Sequence, residues 1–334
     1  MKQLLKQLSV PCSITGHNQK MAKLIRDLVL PFCDSVEIDD FGNVIGVKYG
    51  TTGKTVLLDA HMDEVGLQVK EIQEDGSLSF VTVGGIDPRI LPCSEVIVHG
   101  KKELYGVIGA KPPHLLKDED KKGELRIADM VIDVGMTHPD EMVRIGDAVS
   151  FYPVCRELGK DRISCKGLDN KCGVAIMLYV MQSLTNCPHT VVFSATTAEE
   201  MGCLGVAALM ERQDVDLAIV TDVTFGMTPG EDEGLCFPLG SGAAICTGPC
   251  IHPNWFEKAC KTAEQHGIPY MIEVEGRTTG TNTDVIQLSN TGVPSLLISV
   301  PLRYMHTMTE IVQFSDMEAA ARLITLLVGG DLAC

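Results

Sequence analysis

Four apolar segments of this 334-residue sequence each lead into a polar residue, and this pattern restricts the fold more than any other feature. The segments are short and bounded by turn-forming residues, as buried strands are. Helical patterns separate them, which favours an open α/β sheet. Such sheets place their sites at the carboxyl ends of the strands. The segments are 55–60, 191–196, 217–220 and 295–300, and the residues that follow are His61, Glu199 with Glu200, Asp222 and His306.

Residues 67–161 have a different character, since short alternating segments replace the long apolar ones. Gly, Pro and Asp separate these segments, which is typical of a small β-barrel or sandwich. We interpret 67–161 as an inserted domain, and 1–66 together with 162–334 as the domain that carries the site. The short segments are 78–83, 95–98, 104–108, 130–134 and 148–151.

Composition excludes several classes of protein. A net charge of −16 argues against a nucleic-acid partner, because little would neutralise phosphates. No apolar run approaches a membrane span, and residues 1–10 lack the apolar core of a signal peptide. The thirteen cysteines are an odd number without a Cys-x-x-Cys pair. We therefore expect a cytoplasmic protein without a disulfide framework or a structural zinc site, with free core cysteines such as Cys155, Cys165, Cys172 and Cys246.

Glu199 and Glu200 are adjacent carboxylates just after segment 191–196. Neighbouring side chains on extended backbone point to opposite sides, so that one can hold an ion while the other faces a substrate. Like charges this close repel, and burying either one is costly without a cation. A metal ion would satisfy both. The alternative for an isolated pair is a solvated strand end.

Two further motifs gain meaning from this context. His61 and Asp63 are two residues apart and face the same side of an extended chain, so that the carboxylate could orient the imidazole. Asp169 comes shortly before an apolar helical segment at 174–184, which we expect to be buried. Taken alone, the first motif could be a polar strand end, and Asp169 could be a helix N-cap.

Together these residues supply two imidazoles and several carboxylates from separate segments. Such nitrogen and oxygen ligands suit Zn²⁺, and also Co²⁺ or Mn²⁺. Two histidines, three carboxylate ligands and one further glutamate exceed what a single catalytic zinc ion needs. They match a pair of ions about 3.5–4 Å apart that share a carboxylate, with the remaining glutamate as general base.

Five motifs together closely resemble the co-catalytic metallo-aminopeptidases often labelled glutamyl aminopeptidase or "cellulase M", which assemble as tetrahedral particles. The likeness covers essentially the whole chain. It implies a zinc-exopeptidase-like fold, with a mostly parallel sheet between helices and a β-barrel used in oligomerisation. The motifs are Ala-His-Met-Asp-Glu-Val-Gly at 60–66, Gly-Leu-Asp-Asn at 167–170, Ala-Glu-Glu-Met-Gly at 198–202, Thr-Asp at 221–222 and Arg-Tyr-Met-His-Thr at 303–307.

The resemblance also implies a role for each site residue. One metal ion would be bound by His61 and Asp222, and the other by Glu200 and His306. The remaining roles are Asp169 as the bridge between the ions, Glu199 as the general base and Asp63 as the residue that orients His61.

We therefore predict a metal-dependent aminopeptidase that releases N-terminal residues from short peptides and binds two divalent ions per subunit, Zn²⁺ in the first place. The predicted assembly is a large homo-oligomer, a tetrahedral dodecamer. Thr281 and Asp284, in the polar loop 276–284, are predicted to contact the substrate. This loop departs from the family pattern, so residue preference is not carried over. The alternatives are a deacylase or dipeptidase on the same site, or a glycosidase, in which the two histidines would have no clear role.

Overall fold

The computed structural model describes residues 1–115, 125–185, 187–230, 236–330 and 332. The helices in this part of the chain are α1 (Lys2–Leu8), α2 (Gln19–Val29), α3 (Leu168–Ser183), α4 (Leu204–Met210), α5 (Pro253–Gln265), α6 (Thr283–Ile286) and α7 (Phe314–Gly329). The strands are β1 (Ser35–Ile38), β2 (Val44–Lys48), β3 (Thr55–His61), β4 (Gly66–Ile72), β5 (Leu78–Val83), β6 (Glu95–His99), β7 (Glu103–Ala110), β8 (Met130–Asp133), β9 (Ala148–Phe151), β10 (Arg156–Leu158), β11 (Arg162–Cys165), β12 (Thr190–Thr196), β13 (Leu217–Phe225), β14 (Ala243–Thr247), β15 (Tyr270–Val274), β16 (Ser295–Leu302) and β17 (Glu310–Gln313). Among these described helices, none is long and apolar enough to cross a membrane.

Eight strands form the central sheet in the order β1-β2-β12-β3-β13-β16-β14-β15. The four strands in the middle, β12, β3, β13 and β16, run parallel to one another. Strand β2 pairs antiparallel with β12, and β14 pairs antiparallel with β16. The predicted α/β fold with a mostly parallel sheet is confirmed, and each antiparallel pair includes at least one strand that flanks the central four.

Helix α3 is the centre of the helical layer. It packs on β3 and β13 and also contacts α1 and α7. Residues 171–178 are all buried as a result. A helix that is covered by a sheet and by other helices needs apolar residues around most of its circumference, which is the pattern that predicted a buried helix here.

Strands β4 to β9 close into a separate barrel in the order β4-β5-β8-β7-β6-β9. Its interior is a hydrophobic cluster of its own that includes Leu67, Phe80 and Ile108. The predicted inserted barrel is confirmed, whereas the exact division of the chain at residues 67 and 161 stays a prediction. Strand β4 has no counterpart among the predicted segments, because a register shift between Val69 and Glu71 interrupts its alternation.

The expectation that Cys155 and Cys165 are free core residues is wrong, because they form a disulfide. Strands β10 and β11 make an antiparallel hairpin in which Arg156 lies opposite Ser164. Cys155 directly precedes Arg156 and Cys165 directly follows Ser164, so the two cysteines are also opposite each other. Their Cα atoms are 4.5 Å apart. Strand register, which the spacing of cysteines along the chain does not reveal, creates this pair.

Candidate functional site

The register of the parallel strands brings the predicted site residues to one edge of the sheet. His61 ends β3 and lies beside Thr196, the last residue of β12, so that Glu199 and Glu200 follow close by. Asp222 belongs to β13, the neighbour of β3 on its other side. The remaining two residues come from connections that reach the same edge: Asp169 from the first turn of α3, and His306 from the segment between β16 and β17.

Asp169 lies between the two histidines, and each of its oxygens faces one of them. Its Oδ1 is 3.2 Å from Nε2 of His61, and its Oδ2 is 3.3 Å from Nε2 of His306. The side chain is buried. A carboxylate held in this way can serve two positions at once, which is the geometry that a bridging ligand requires.

Two candidate ligand groups share Asp169. In the first group, which is buried, Nε2 of His61 lies 3.7 Å from Oδ1 of Asp222. In the second group, Nε2 of His306 lies 3.3 Å from Oε1 of Glu200. Within each group the ligand atoms all lie within 4.8 Å of one another. The donors are imidazole nitrogens and carboxylate oxygens, a set that fits a divalent transition-metal ion at each position.

The electrostatics of the cluster are those of crowded carboxylates. Burial raises the pKa of Glu199, His61 lowers it and the Glu200 carboxylate raises it, so that the resulting pKa is about 7. Burial also raises the pKa of Asp222 well above its ordinary value. Burial lowers the pKa of His61, but the carboxylates around it, Glu199 foremost, raise that pKa well above its ordinary value. Such a site favours cations, because a divalent ion stabilises the ionised carboxylates.

Glu199 is outside both ligand groups but remains close to them. Its Oε2 is 3.9 Å from Nε2 of His61. Its backbone N–H donates to Oδ1 of Asp63 at 3.2 Å, and the same oxygen lies 3.4 Å from Nδ1 of His61. The second carboxylate oxygen of Asp63 accepts a hydrogen bond from the Thr15 hydroxyl at 2.6 Å. Asp63 therefore contacts both the segment that carries Glu199 and the ring of His61.

Thr281 and Asp284, the two predicted substrate residues, each make hydrogen bonds within their own loop. Asp284 accepts from the backbone N–H groups of Thr279 and Gly280 at 2.8 and 3.0 Å. Thr281 is buried, and its hydroxyl bonds to Thr283 at 3.0 Å. Neither residue belongs to the ligand groups found among the described residues. Their contact with substrate stays a prediction.

Sequence reasoning missed a buried charge cluster beside the site. Glu64 forms two ion pairs, both at 2.6 Å: its Oε1 contacts Nζ of Lys166, and its Oε2 contacts Nζ of Lys171. Burial raises the pKa of Glu64, but the two lysines outweigh it and lower that pKa to about 2. Burial lowers the pKa of Lys171 to about 8. The available signal was that Glu64 lies within the motif at 60–66 and that Lys166 and Lys171 lie directly before and after the motif at 167–170.

Comparison with known proteins places this chain among peptide hydrolases. It is 30% identical over 333 residues to lysyl aminopeptidase of Pyrococcus furiosus, covering 98% of this chain and 96% of the relative. It superposes on an aminopeptidase of the archaeon Desulfurococcus kamchatkensis with a TM-score of 0.92 at 31% identity, covering 98% and 94% of the two chains. For the TET1 peptidase of Pyrococcus horikoshii the TM-score is 0.86 at 30% identity, and the coverage is 98% of both chains. The fold, the site and these relatives define the protein as an aminopeptidase.

The family profile of M42 glutamyl aminopeptidases matches residues 42–323. The chain therefore belongs to the M42 glutamyl aminopeptidase family. The resemblance that its motifs indicated is confirmed.

Proposed function

We propose that the protein is a metal-dependent aminopeptidase that releases N-terminal residues from short peptides through a dinuclear metal site. The observation that carries this proposal is the position of Asp169, whose two oxygens face His61 and His306 at 3.2 and 3.3 Å. A single ion would leave one of these two histidines and its neighbouring carboxylate without a role.

In this proposal the ligands divide as the two groups do. His61 and Asp222 would hold one ion, Glu200 and His306 would hold the other, and Asp169 would be shared. Zn²⁺ is the proposed metal, with Co²⁺ or Mn²⁺ as alternatives, because all three accept imidazole and carboxylate ligands. When bound, such a pair of ions supplies Lewis acidity and lowers the pKa of water toward neutrality.

The chain's own groups then handle the proton and the orientation. The Glu199 carboxylate takes the proton of the attacking water and delivers it to the nitrogen of the leaving amine, as a general base and then a general acid. Its freedom from both ligand groups supports this role. Asp63 holds the ring of His61 and, through the backbone N–H of Glu199, the segment that carries the base.

We also propose that the protein forms a homo-oligomer, a tetrahedral dodecamer, in which the inserted domain 67–161 makes subunit contacts. The support is that the Pyrococcus horikoshii TET1 peptidase can assemble into a tetrahedron or a large octahedral shell. A cytoplasmic location is part of the same proposal. Light scattering of the purified chain tests the assembly, and a monomeric mass would contradict it.

A panel of aminoacyl-anilides, each beside its N-acetylated form, tests the activity. We expect turnover of the free-amine substrates alone, loss of turnover with a chelator, and recovery on addition of Zn²⁺, Co²⁺ or Mn²⁺. Turnover of the N-acetylated forms alone would favour a deacylase. Turnover that the chelator leaves unchanged would contradict the proposal of a metal-dependent enzyme.

A further inference from the structure

Glu310, the first residue of β17, lies behind the second ligand group. Its carboxylate is buried, and the whole residue is 2% exposed. Its Oε1 accepts the backbone N–H of His306 at 2.8 Å, and its Oε2 accepts the backbone N–H of Asp169 at 3.2 Å. One carboxylate thus ties together the main chains of two residues that come from distant parts of the sequence, and both residues are in the second ligand group.

The main chain around His306 needs such support. His306 has a φ of 59° and Tyr304 a φ of 60°, so the connection before β17 has two non-glycine residues in the left-handed region. That conformation is unfavourable without surrounding contacts that maintain it. Asp169 departs from helical dihedral angles at the start of α3. On the side of its ring away from the ligand cluster, Nδ1 of His306 is within hydrogen-bond distance, 2.8 Å, of the Gly85 carbonyl oxygen.

Glu310 itself has a fixed position. Its backbone lies opposite Cys165 in the antiparallel pairing of β11 with β17. The pairing continues through Ile311, opposite Ser164, and Val312, opposite Ile163. A carboxylate on a paired strand can therefore act as a reference point for a connection that has no regular structure of its own.

We propose that Glu310 is the positioning residue that holds Asp169 and His306 at the distance a second metal ion needs, and so sets the affinity of that ion. This inference rests on the proposed dinuclear site. The first ion depends on it less, because two of its three proposed ligands, His61 and Asp222, lie on β3 and β13 of the sheet. The two hydrogen bonds that Glu310 accepts at the site come from main-chain N–H groups, so it acts through the ligands and is not itself a catalytic residue.

The chemistry of the contact explains why a carboxylate is needed. Two N–H donors approach, one at each oxygen, and an ionised carboxylate accepts both. A glutamine of the same shape offers one acceptor oxygen, and its NH₂ group would face the second N–H. The substitution Glu310→Gln thus removes one hydrogen bond without opening a cavity.

The test is calorimetric titration of the chelator-treated, metal-free full-length protein with Zn²⁺, and separately with Co²⁺. We expect two binding events in the wild type. In Glu310→Gln one of the two events, which we assign to the second ligand group, should lose about 10–100-fold in affinity, the usual effect of changing a group that orients a metal ligand. The other event should change by a smaller factor. The absorption bands of the second equivalent of Co²⁺ should shift as well, because its ligands move.

Glu273→Gln is the matched control. Glu273 is also a buried carboxylate on a strand; it accepts a hydrogen bond from the Thr224 hydroxyl and is not a member of either ligand group. This variant should keep both binding events. If Glu310→Gln fails to fold, Glu310→Asp replaces it, since its carboxylate keeps the charge but lies about 1.5 Å further back.

Three outcomes separate the hypotheses. If Glu310→Gln binds both ions with the affinities of the wild type, the positioning role is wrong. The same holds for Glu310→Asp where that variant replaces it. Equal weakening of both events, together with a lower unfolding temperature than the control, would show a structural role only and would also overturn it. A single event in the wild-type protein would instead refute the dinuclear site on which the inference rests.

Discussion

Replacing Glu64 by Gln should destabilise this protein more than any comparable change on its surface. The substitution leaves the ammonium groups of Lys166 and Lys171 buried with no carboxylate between them. Loss of one partner of a buried ion pair costs about 3–5 kcal/mol, because the remaining charge is uncompensated. The lowered pKa of Glu64, which the same two lysines cause, gives a contribution of similar size. The difference between 4.5 and about 2 corresponds to about 3 kcal/mol of stability above pH 4.5.

The assay is urea unfolding of the metal-free protein at pH 7, with light scattering to check that both variants have the same oligomeric state. The matched control is Glu103→Gln. Glu103 also forms an ion pair with a lysine, Lys20, at 2.7 Å, but the side chain of Glu103 is 56% exposed and that of Lys20 is 69% exposed. Exposed pairs contribute about 0.2–1 kcal/mol, so this control should unfold close to the wild type.

The lowered pKa of Glu64 also predicts how the stability difference between the two variants changes with pH. The folded-state pKa of Glu64 lies below its ordinary value, so the unfolded state binds more protons between about pH 4.5 and pH 2. The stability that Glu64 contributes is complete above that window and is lost as the pH falls through it. The wild type and Glu64→Gln should therefore converge in acid. A difference below about 1 kcal/mol at pH 7 would refute the reasoning, because it would mean that the two buried lysines need no counter-ion.

Three further predictions concern the site. Glu199→Gln should keep its metal content and lose about 10²–10⁴-fold in kcat, the usual contribution of a general base; wild-type turnover in a fully loaded variant would remove Glu199 from that role. Asp169→Asn should lower metal occupancy at both positions, which elemental analysis measures, and two full equivalents in that variant would disprove the bridge. Asn282→Ala should lower the free energy of unfolding in urea by about 1–3 kcal/mol. The Asn282 amide donates to Asp59 Oδ2 at 2.7 Å and to Thr196 Oγ1 at 2.8 Å, and both buried acceptors would lose a partner. Unchanged stability of that variant would show that the loop does not depend on this anchor.

Much of the ligand set could be predicted because it depends on local pattern. An apolar run that ends in a polar residue reports both a buried strand and its carboxyl end, and parallel strands bring those ends together. His61, Glu199, Glu200 and Asp222 follow from this rule. The rule also gave His306, as the polar residue that follows the last apolar segment. Asp169 lies at the start of a helix, where the pattern alone also allowed an N-cap, and the resemblance to a family supplied its role.

Most of the buried strands and helices could be located from the sequence, since burial leaves a period of two or of about 3.6 residues in the chain. Only the tertiary structure decided which distant groups meet. The Cys155–Cys165 disulfide depends on hairpin register, and the closure of the barrel depends on β4, whose alternation is interrupted by a register shift. Glu310 depends on the position of β17 behind the site. The physical reason is that periodicity records the environment of each residue, whereas a hydrogen bond or ion pair also requires the partner's position, which only the assembled fold specifies.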